Sequence, residues 1–556
     1  MKGQSLDELI DFGAPEAYDR LDLEPPEEGS EGRLRIPPKS FEELSRRAFS
    51  DIAFKLPVEQ AEAFGAIAAD SRPPEEGGPS EADRFVACEL LRNAAIAAEG
   101  VYPLCQDTGA ALVFGWKGAS VLTDGREEGA LARGARAAYA EGRLRLSQMG
   151  PIGFIDEKNT GDNLPLLADL RAAAPRDAAA GGAASAGADY RFCFAAKGGG
   201  SMNRTSLTME SPALLDAAAL ESKIKDRITS LGASGCPPYR INLVLGGQGP
   251  DETLRALALA SLGLLDNLPG SASGAGEALR SREWEDRIIA LARASGVGAQ
   301  FGGSSLALAA RAIRLPRHAA SLPLAMGVSC AAHRKARAVI GAGGVFLERL
   351  ESDPSRFLPG ELPLLPKAIK VDLDRPPREL AAELGRLEPG SFLLLSGTVV
   401  TARDKAHARF RGLIESGGKL PDYVFKHPVF YAGPTEAAPG RASGSFGPTT
   451  SGRMDSFMEA LLSRGASLVS IAKGGRGIEA AKAIASNGGA YLACIGGAAA
   501  LAGREHVLSS EIIDYPELGM EAVRRVVLRD LPAMLVVGSW AAASGRDFYA
   551  LLKEGH

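Results

Sequence analysis

Residues 466–497 read ASLVSIAKGGRGIEAAKAIASNGGAYLACIGG, and this stretch decides the fold class. The apolar run Ala466 to Ala472 predicts a strand that ends at Lys473-Gly474-Gly475. A helical period follows over Gly477 to Ala485 and stops at Asn487-Gly488-Gly489, as a left-handed cap requires. Ala490 to Ile495 predicts the next strand, closed by Gly496-Gly497. Strand, helix and strand at this spacing form a βαβ unit. Ligands in such folds sit beyond the carboxyl ends of the strands, which places Lys473 where a ligand is expected.

Upstream, Phe392 to Leu395 predicts a further strand of the same α/β texture. Residues 353–366 (DPSRFLPGELPLLP) carry four prolines and separate this texture from a different one. Before them, helical patterns over Glu81 to Ala98 and Arg282 to Ser295 mix with short strands, of which Ile241 to Leu245 before Gly246-Gly247 is the clearest. The expectation is a mixed α/β and α+β protein of two domains. Residues 1–352 form the larger, 353–366 the linker and 367–556 a smaller α/β domain, with the site in the cleft between them. Residues 172–189, rich in Ala, Gly and Ser, and residues 268–276 read as surface loops. No repeat of fixed period is present.

The chain has 556 residues, 45% apolar and 24% charged, which excludes wholesale disorder. A net charge of −5 and 6% aromatics offer neither the basic excess nor the stacking platforms of a nucleic-acid or anionic-membrane binder. Met1 to Leu9 lacks the apolar core of a signal peptide, and Leu531 to Ala543 falls short of a membrane span. Six cysteines are too sparse for a disulfide framework. A soluble, cytoplasmic protein is expected.

The six histidines (318, 333, 407, 427, 506, 556) form no HExxH or Cys/His zinc pattern, and no GxSxG elbow occurs. The Gly-rich segments 197–201, 341–344 and 473–476 each offer backbone N–H groups to an anion, but taken singly read as tight turns. Cys88, Cys193 and Cys494 lie in apolar patterns, as small buried hydrophobes do. Cys105, Cys236 and Cys330 lie in polar turns marked by Gly or Pro, where a metal or cluster has room to approach. Their spacing does not decide between these readings. Ser443 to Asp455 (SGSFGPTTSGRMD) has neither helix nor strand period and presents hydroxyls and one guanidinium. With Arg403 and Lys473, Arg453 makes a cation set suited to a dianion, since Arg grips carboxylates bidentately.

PLCQDTG, NTGDNLP (159–165), AKGGGS (196–201), CPPY, RLPRH (314–318), GVSC (327–330), TARDKAH (401–407), YAGP (431–434), GSFGPTTSGRMDSF (444–457), AKGG and YPELGMEAV (515–523) occur in that order. Together they resemble class I fumarate hydratase, the iron–sulfur fumarase, in its fused single-chain form, from about residue 40 to the C-terminus. The resemblance implies a 4Fe-4S cluster held by Cys105, Cys236 and Cys330, with one iron open as a Lewis acid. It implies substrate contacts from Gln106, Asp107, Arg145 (in LRLSQ), Gly200, Asn203, Arg403, Thr449, Ser451, Arg453 and Lys473. Thr449 is the implied base, with Asp107, His318 or Lys473 in its proton relay. The implied substrate is a small dicarboxylate, fumarate or malate, and the implied assembly a homodimer. Rival expectations are the same chemistry on mesaconate or tartrate, and an inactive iron or redox sensor. Met202, RHAASLP (317–323), SCAAHR (329–334) and GSWAAASGR (538–546) depart from the family pattern.

Overall fold

The computed structural model of the chain describes residues 6–29, 33–173, 187–272 and 276–552. Most of the 172–189 loop, the middle of the 268–276 loop and the first five residues lie outside these.

Two large sheets, beside two small ones, build the first half. One is six-stranded, in the order Tyr18–Arg20, Gly344–Glu348, Lys335–Gly341, Tyr190–Lys197, Ala110–Lys117 and Leu167–Ala172. The other is five-stranded, in the order Ser206–Glu210, Leu322–Ser329, Tyr239–Gly247, Ala307–Arg317 and Leu279–Arg280. Alternation along the strands sorts the side chains between layers. Tyr190, Phe192 and Phe194 pack with Phe49 and Leu131 under the helices Pro38–Phe54 and Glu127–Glu141. Cys193 and Ala195, on the opposite face of the same strand, pack with Val244, Ala325 and the helix Pro250–Ser261 between the two sheets.

The second half contains a seven-stranded sheet that closes on itself. Phe392–Thr401, Val429–Phe430, Val469–Ala472 and Ala490–Cys494 run parallel in that order. The long strand Val523–Val537 then runs antiparallel to both ends, pairing Ala493 and Phe392 with the same Met534. Closure leaves these strands without free edges. Leu393, Leu395 and Val399 are fully buried, each worth roughly 1.5–3 kcal/mol of apolar burial. Ile369–Asp372 and Val507–Asp514 flank the ring.

The βαβ reading holds, with shifted boundaries. The strand begins at Val469 rather than Ala466, because Ser467 takes a left-handed φ of 56° and sends its N–H to Val424 O. The helix spans Ile478–Ser486, and Gly488 turns left-handed (φ 70°) just after it. The strand expected over Phe392 to Leu395 continues to Thr401, just before Arg403. The Leu531 to Ala543 stretch is largely the closing strand. Ser443 to Asp455 contains a short strand, Phe446–Pro448, and part of the 3-10 helix Ser451–Phe457. The last strand of the first half is Gly344–Glu348 and the first of the second is Ile369–Asp372. We place the domain boundary at 353–366, between them.

Candidate active site

Turns from both halves meet at one place. In the five-stranded sheet Arg240 pairs with Ser329, so the start of one strand adjoins the end of its antiparallel neighbour. The turns carrying Cys236 and Cys330 are therefore side by side, joined by Ala331 N–H to Cys236 O at 2.9 Å. In the six-stranded sheet Ala110 pairs with Lys197, which brings the Cys105–Asp107 turn against the Gly198–Ser201 turn. Gly199 N–H donates to Asp107 Oδ2 at 2.8 Å.

The second half contributes the carboxyl ends of its parallel strands. Arg403 follows Phe392–Thr401, Lys473 follows Val469–Ala472, and Thr449 follows the short strand Phe446–Pro448. Thr449 N–H donates to Tyr431 O at 2.7 Å, and Lys473 N–H to Thr449 O at 3.1 Å. Ser451 N–H returns to Lys473 O at 3.0 Å. Direct bonds then join the halves at the site. Lys473 Nζ lies 2.7 Å from Cys236 Sγ, Gln106 Nε2 donates to Pro448 O at 3.2 Å, and Thr450 Oγ1 donates to Ser234 O at 3.2 Å.

All six cysteines are free thiols. Cys105, Cys236 and Cys330 are close enough to perturb one another electrostatically. Burial pushes the Cys105 thiol up to about 12, with Asp107 and the other two sulfurs adding and Arg334 opposing. Burial raises Cys330 as well, Cys236 reinforcing it. Such thiols become good ligands once a metal displaces the proton. Among the described residues no three His, Cys, Asp or Glu side chains converge on a single ion. The set suits a larger thiolate-bound group: soft sulfur donors, neighbouring cations, and a glycine that leaves the Cys236 sulfur free of a side chain. A Cβ on Gly496 would stand 2.4 Å from Cys236 Sγ and 2.9 Å from Lys473 Cδ. Cys88, Cys193 and Cys494 are buried in the apolar clusters.

Around the thiols the charge is mostly positive. Burial would lower the pKa of Lys473, but Cys236, Cys105 and Cys330 outweigh it and raise it when their sulfurs are thiolates. Burial would raise that of Asp107, but Arg145, Arg334 and Lys473 outweigh it and keep the carboxylate ionised. Arg403 is 4% exposed, and burial brings it down to about 10, with Arg145 adding and Glu521 opposing. Its Nε and Nη1, and the Nε of both Arg145 and Arg334, are buried without a hydrogen-bond partner. Unpaired buried guanidinium N–H groups are costly, and an anion placed among them removes the cost. Arg453 pairs with Asp404 at 2.7 Å and donates to Thr449 Oγ1 at 3.3 Å.

Most of the expected residues are thus gathered: Gln106, Asp107, Arg145, Arg403, Thr449, Ser451, Arg453 and Lys473 with the three cysteines. Gly200 joins them, since a Cβ there would lie 3.2 Å from Lys473 Nζ. Asn203 is exposed and ends the short helix Gly199–Met202. Within one chain His318 is not brought to the site. It is exposed on the turn between Ala307–Arg317 and Leu322–Ser329, and the second strand leads from there to Cys330, roughly 25 Å at strand rise.

Two arginines escaped the sequence reading. Arg334 stands four residues after Cys330 in SCAAHR, and its Nη2 and Asp107 Oδ2 both crowd Gly198. Arg476, in KGGR, is buried and braces the loop at 449–455. It donates to Ser451 O at 3.0 Å and Asp455 Oδ1 at 2.8 Å, and stacks over Tyr491 and Tyr431. The Gly-rich turn preceding it was the available signal.

A family model described as fumarate hydratase (fumerase) matches residues 42–339, and one described as fumarase C-terminus matches 344–551. The aerobic class I fumarate hydratase of Escherichia coli K12 is 42% identical over 519 residues, 93% of this chain and 90% of that protein. Fumarate hydratase 2 of Leishmania major is 40% identical over 519 residues, 93% of this chain and 88% of its own. A protein named putative L(+)-tartrate dehydratase subunit beta, from Methanocaldococcus jannaschii, is 31% identical over 157 residues, 28% of this chain and 80% of its own. Both matched models fall on one polypeptide whose two halves meet at the thiols, and the chain belongs to the single-chain class I fumarate hydratases.

Proposed function

We propose that this lyase catalyses the reversible hydration of fumarate to (S)-malate, with a 4Fe-4S cluster held by Cys105, Cys236 and Cys330. The observation that carries the reading is the set of buried guanidinium N–H groups without hydrogen-bond partners on Arg145, Arg334 and Arg403, near three free thiols. When bound, such a cluster supplies a Lewis-acidic iron that favours departure or arrival of hydroxide at C2. Arg403 and Arg145 grip the substrate carboxylates from within, and Arg453 closes over them from the loop at 449–455. Gln106 and Gly200 shape the floor beside Lys473. Thr449 Oγ1, to which Arg453 donates, takes the C3 proton of malate as it passes its own hydroxyl proton in the same step into a relay that ends at Asp107, the carboxylate its cation neighbours keep ionised. In hydration the same hydroxyl returns a proton to C3. His318 has no step in this scheme, because its own chain holds it at the far end of a strand.

Tartrate stands as a second reading on the same residues, favoured by the likeness to the Methanocaldococcus protein. Pocket shape decides between such substrates by about 1–3 kcal/mol per methyl-sized group. Anaerobic assay of the iron- and sulfide-reconstituted chain on fumarate, mesaconate and tartrate tests both. Fumarate should give the highest kcat/KM. A higher value on either other acid would overturn the substrate, and absence of visible absorbance after reconstitution would overturn the cofactor. The resemblance alone supports a homodimer in the cytoplasm, which sedimentation and cell fractionation test.

A further inference from the structure

Gln300 stands in a glycine-rich loop of the first half and holds a backbone angle that a side chain rarely takes, φ 124°. Residues kept in such regions cost free energy and persist where the surroundings enforce them, often at functional sites. The side chain is 2% exposed and all its bonding atoms are engaged. Its Nε2 donates to Pro237 O at 2.8 Å, next to Cys236, and to Gly496 O at 2.8 Å in the second half. Its Oε1 accepts Gly496 N–H at 2.7 Å. The second half also takes hold of its backbone, Tyr549 OH donating to Gln300 O at 2.7 Å. The first half anchors the loop one residue earlier, where Ala299 N–H donates to the buried Asp83 Oδ1 at 2.6 Å.

The glycine that Gln300 grips is the one against which Cys236 Sγ and Lys473 Cδ pack. One amide therefore ties the turn before Pro237 to the turn at Gly496, across the seam between the halves. We propose that Gln300 is a positioning residue that fixes Cys236 against Gly496 and Lys473 and so holds the third thiol in place for the cluster. The proposal rests on the reading of Cys236 as a cluster ligand. It does not place Gln300 in contact with substrate.

The test uses the full chain and two variants. Gln300→Glu keeps the acceptor for Gly496 N–H and removes both N–H donors. Gln300→Gly removes the clamp and relieves the strained φ, so it retains the fold if the first variant does not. In the reduced, metal-free chain, alkylation of each cysteine is followed by mass spectrometry. In both variants Cys236 should be alkylated about 10-fold faster or more, with Cys105 and Cys330 within about twofold of wild type; after reconstitution, iron retention against a chelator should fall by roughly 10–100-fold, and kcat should fall at nearly constant KM. An unchanged Cys236 rate, or equal acceleration of all six cysteines, would overturn the proposal, the latter because it would show a general role in the fold. If wild-type chain takes up no cluster, the cofactor reading fails, while the Cys236 alkylation rates still decide whether the clamp exists.

Discussion

A threonine hydroxyl hardly ionises near neutrality, so the chemistry asked of Thr449 depends on what surrounds its oxygen. Backbone bonds to Tyr431 and Lys473 fix the residue, and Arg453 donates to the hydroxyl oxygen. Thr449→Ala removes no charge, so kcat should fall by about 100-fold or more with little change in KM. Exchange of malate's C3 proton with solvent, followed by NMR, should nearly vanish although the visible absorbance is intact. Wild-type exchange would place the base elsewhere. The carboxylate grip proposed for Arg403 uses the planar fork as well as the charge. Arg403→Lys should raise KM by about 10-fold, because an ammonium cannot satisfy the same pair of carboxylate oxygens. A steady-state KM equal to wild type would remove Arg403 from carboxylate binding. The cysteines separate cleanly at this scale. Cys105→Ser, Cys236→Ser and Cys330→Ser should each abolish the visible absorbance of the reconstituted protein. Cys88→Ser, Cys193→Ser and Cys494→Ser should keep it, losing about 1–3 kcal/mol of stability for a hydroxyl buried among apolar groups.

The helix Asp404–Glu415 carries Arg403 at its N-cap and buries His407 one turn in. The imidazole packs edge-on to Tyr431 and Phe410, and Nδ1 lies 2.9 Å from Arg403 O. Burial holds its pKa down to about 4, with Arg476 adding and the Arg403 carbonyl and Asp404 opposing. A group whose folded pKa lies below its unfolded value favours unfolding when it is protonated. The stability His407 protects is therefore present above about pH 6.5 and is lost as pH falls toward 4, an effect of about 3 kcal/mol. Urea midpoints of His407→Gln should depend less steeply on pH across that window than those of wild type. Parallel profiles would show that His407 does not titrate on unfolding. The existence of most elements was legible: the βαβ unit, the strand before Arg403 and the helices at 81 and 282 follow from local periodicity. Their limits were not. Ser467 leaves the strand because its N–H finds Val424 O, a partner 43 positions away in the chain.

Over the whole molecule the three loop thiols come from one half and the arginine–threonine loop from the other, and one continuous apolar core runs through both. A cluster with one iron lacking a protein ligand is open to oxidants. Activity of the reconstituted chain should decay in air and recover with ferrous iron and thiol. Full activity after aerobic dialysis against a chelator would rule the cluster out. The residue types of the site were readable in order along the chain, because loop cysteines, a lysine at a strand end and an arginine in a Gly/Ser/Thr loop each advertise themselves by their neighbours. Membership of the family followed from the same motifs. The tertiary structure alone decided that Val523–Val537 closes the second sheet, since one strand pairs with segments on both sides of it. It alone showed that Arg334 and Gln300 belong with the site and that His318 stands apart from it within the chain. Local periodicity reports which face of an element is buried. It cannot report which turns, hundreds of residues apart, are brought together, because strand pairing and the packing of one half on the other set that distance.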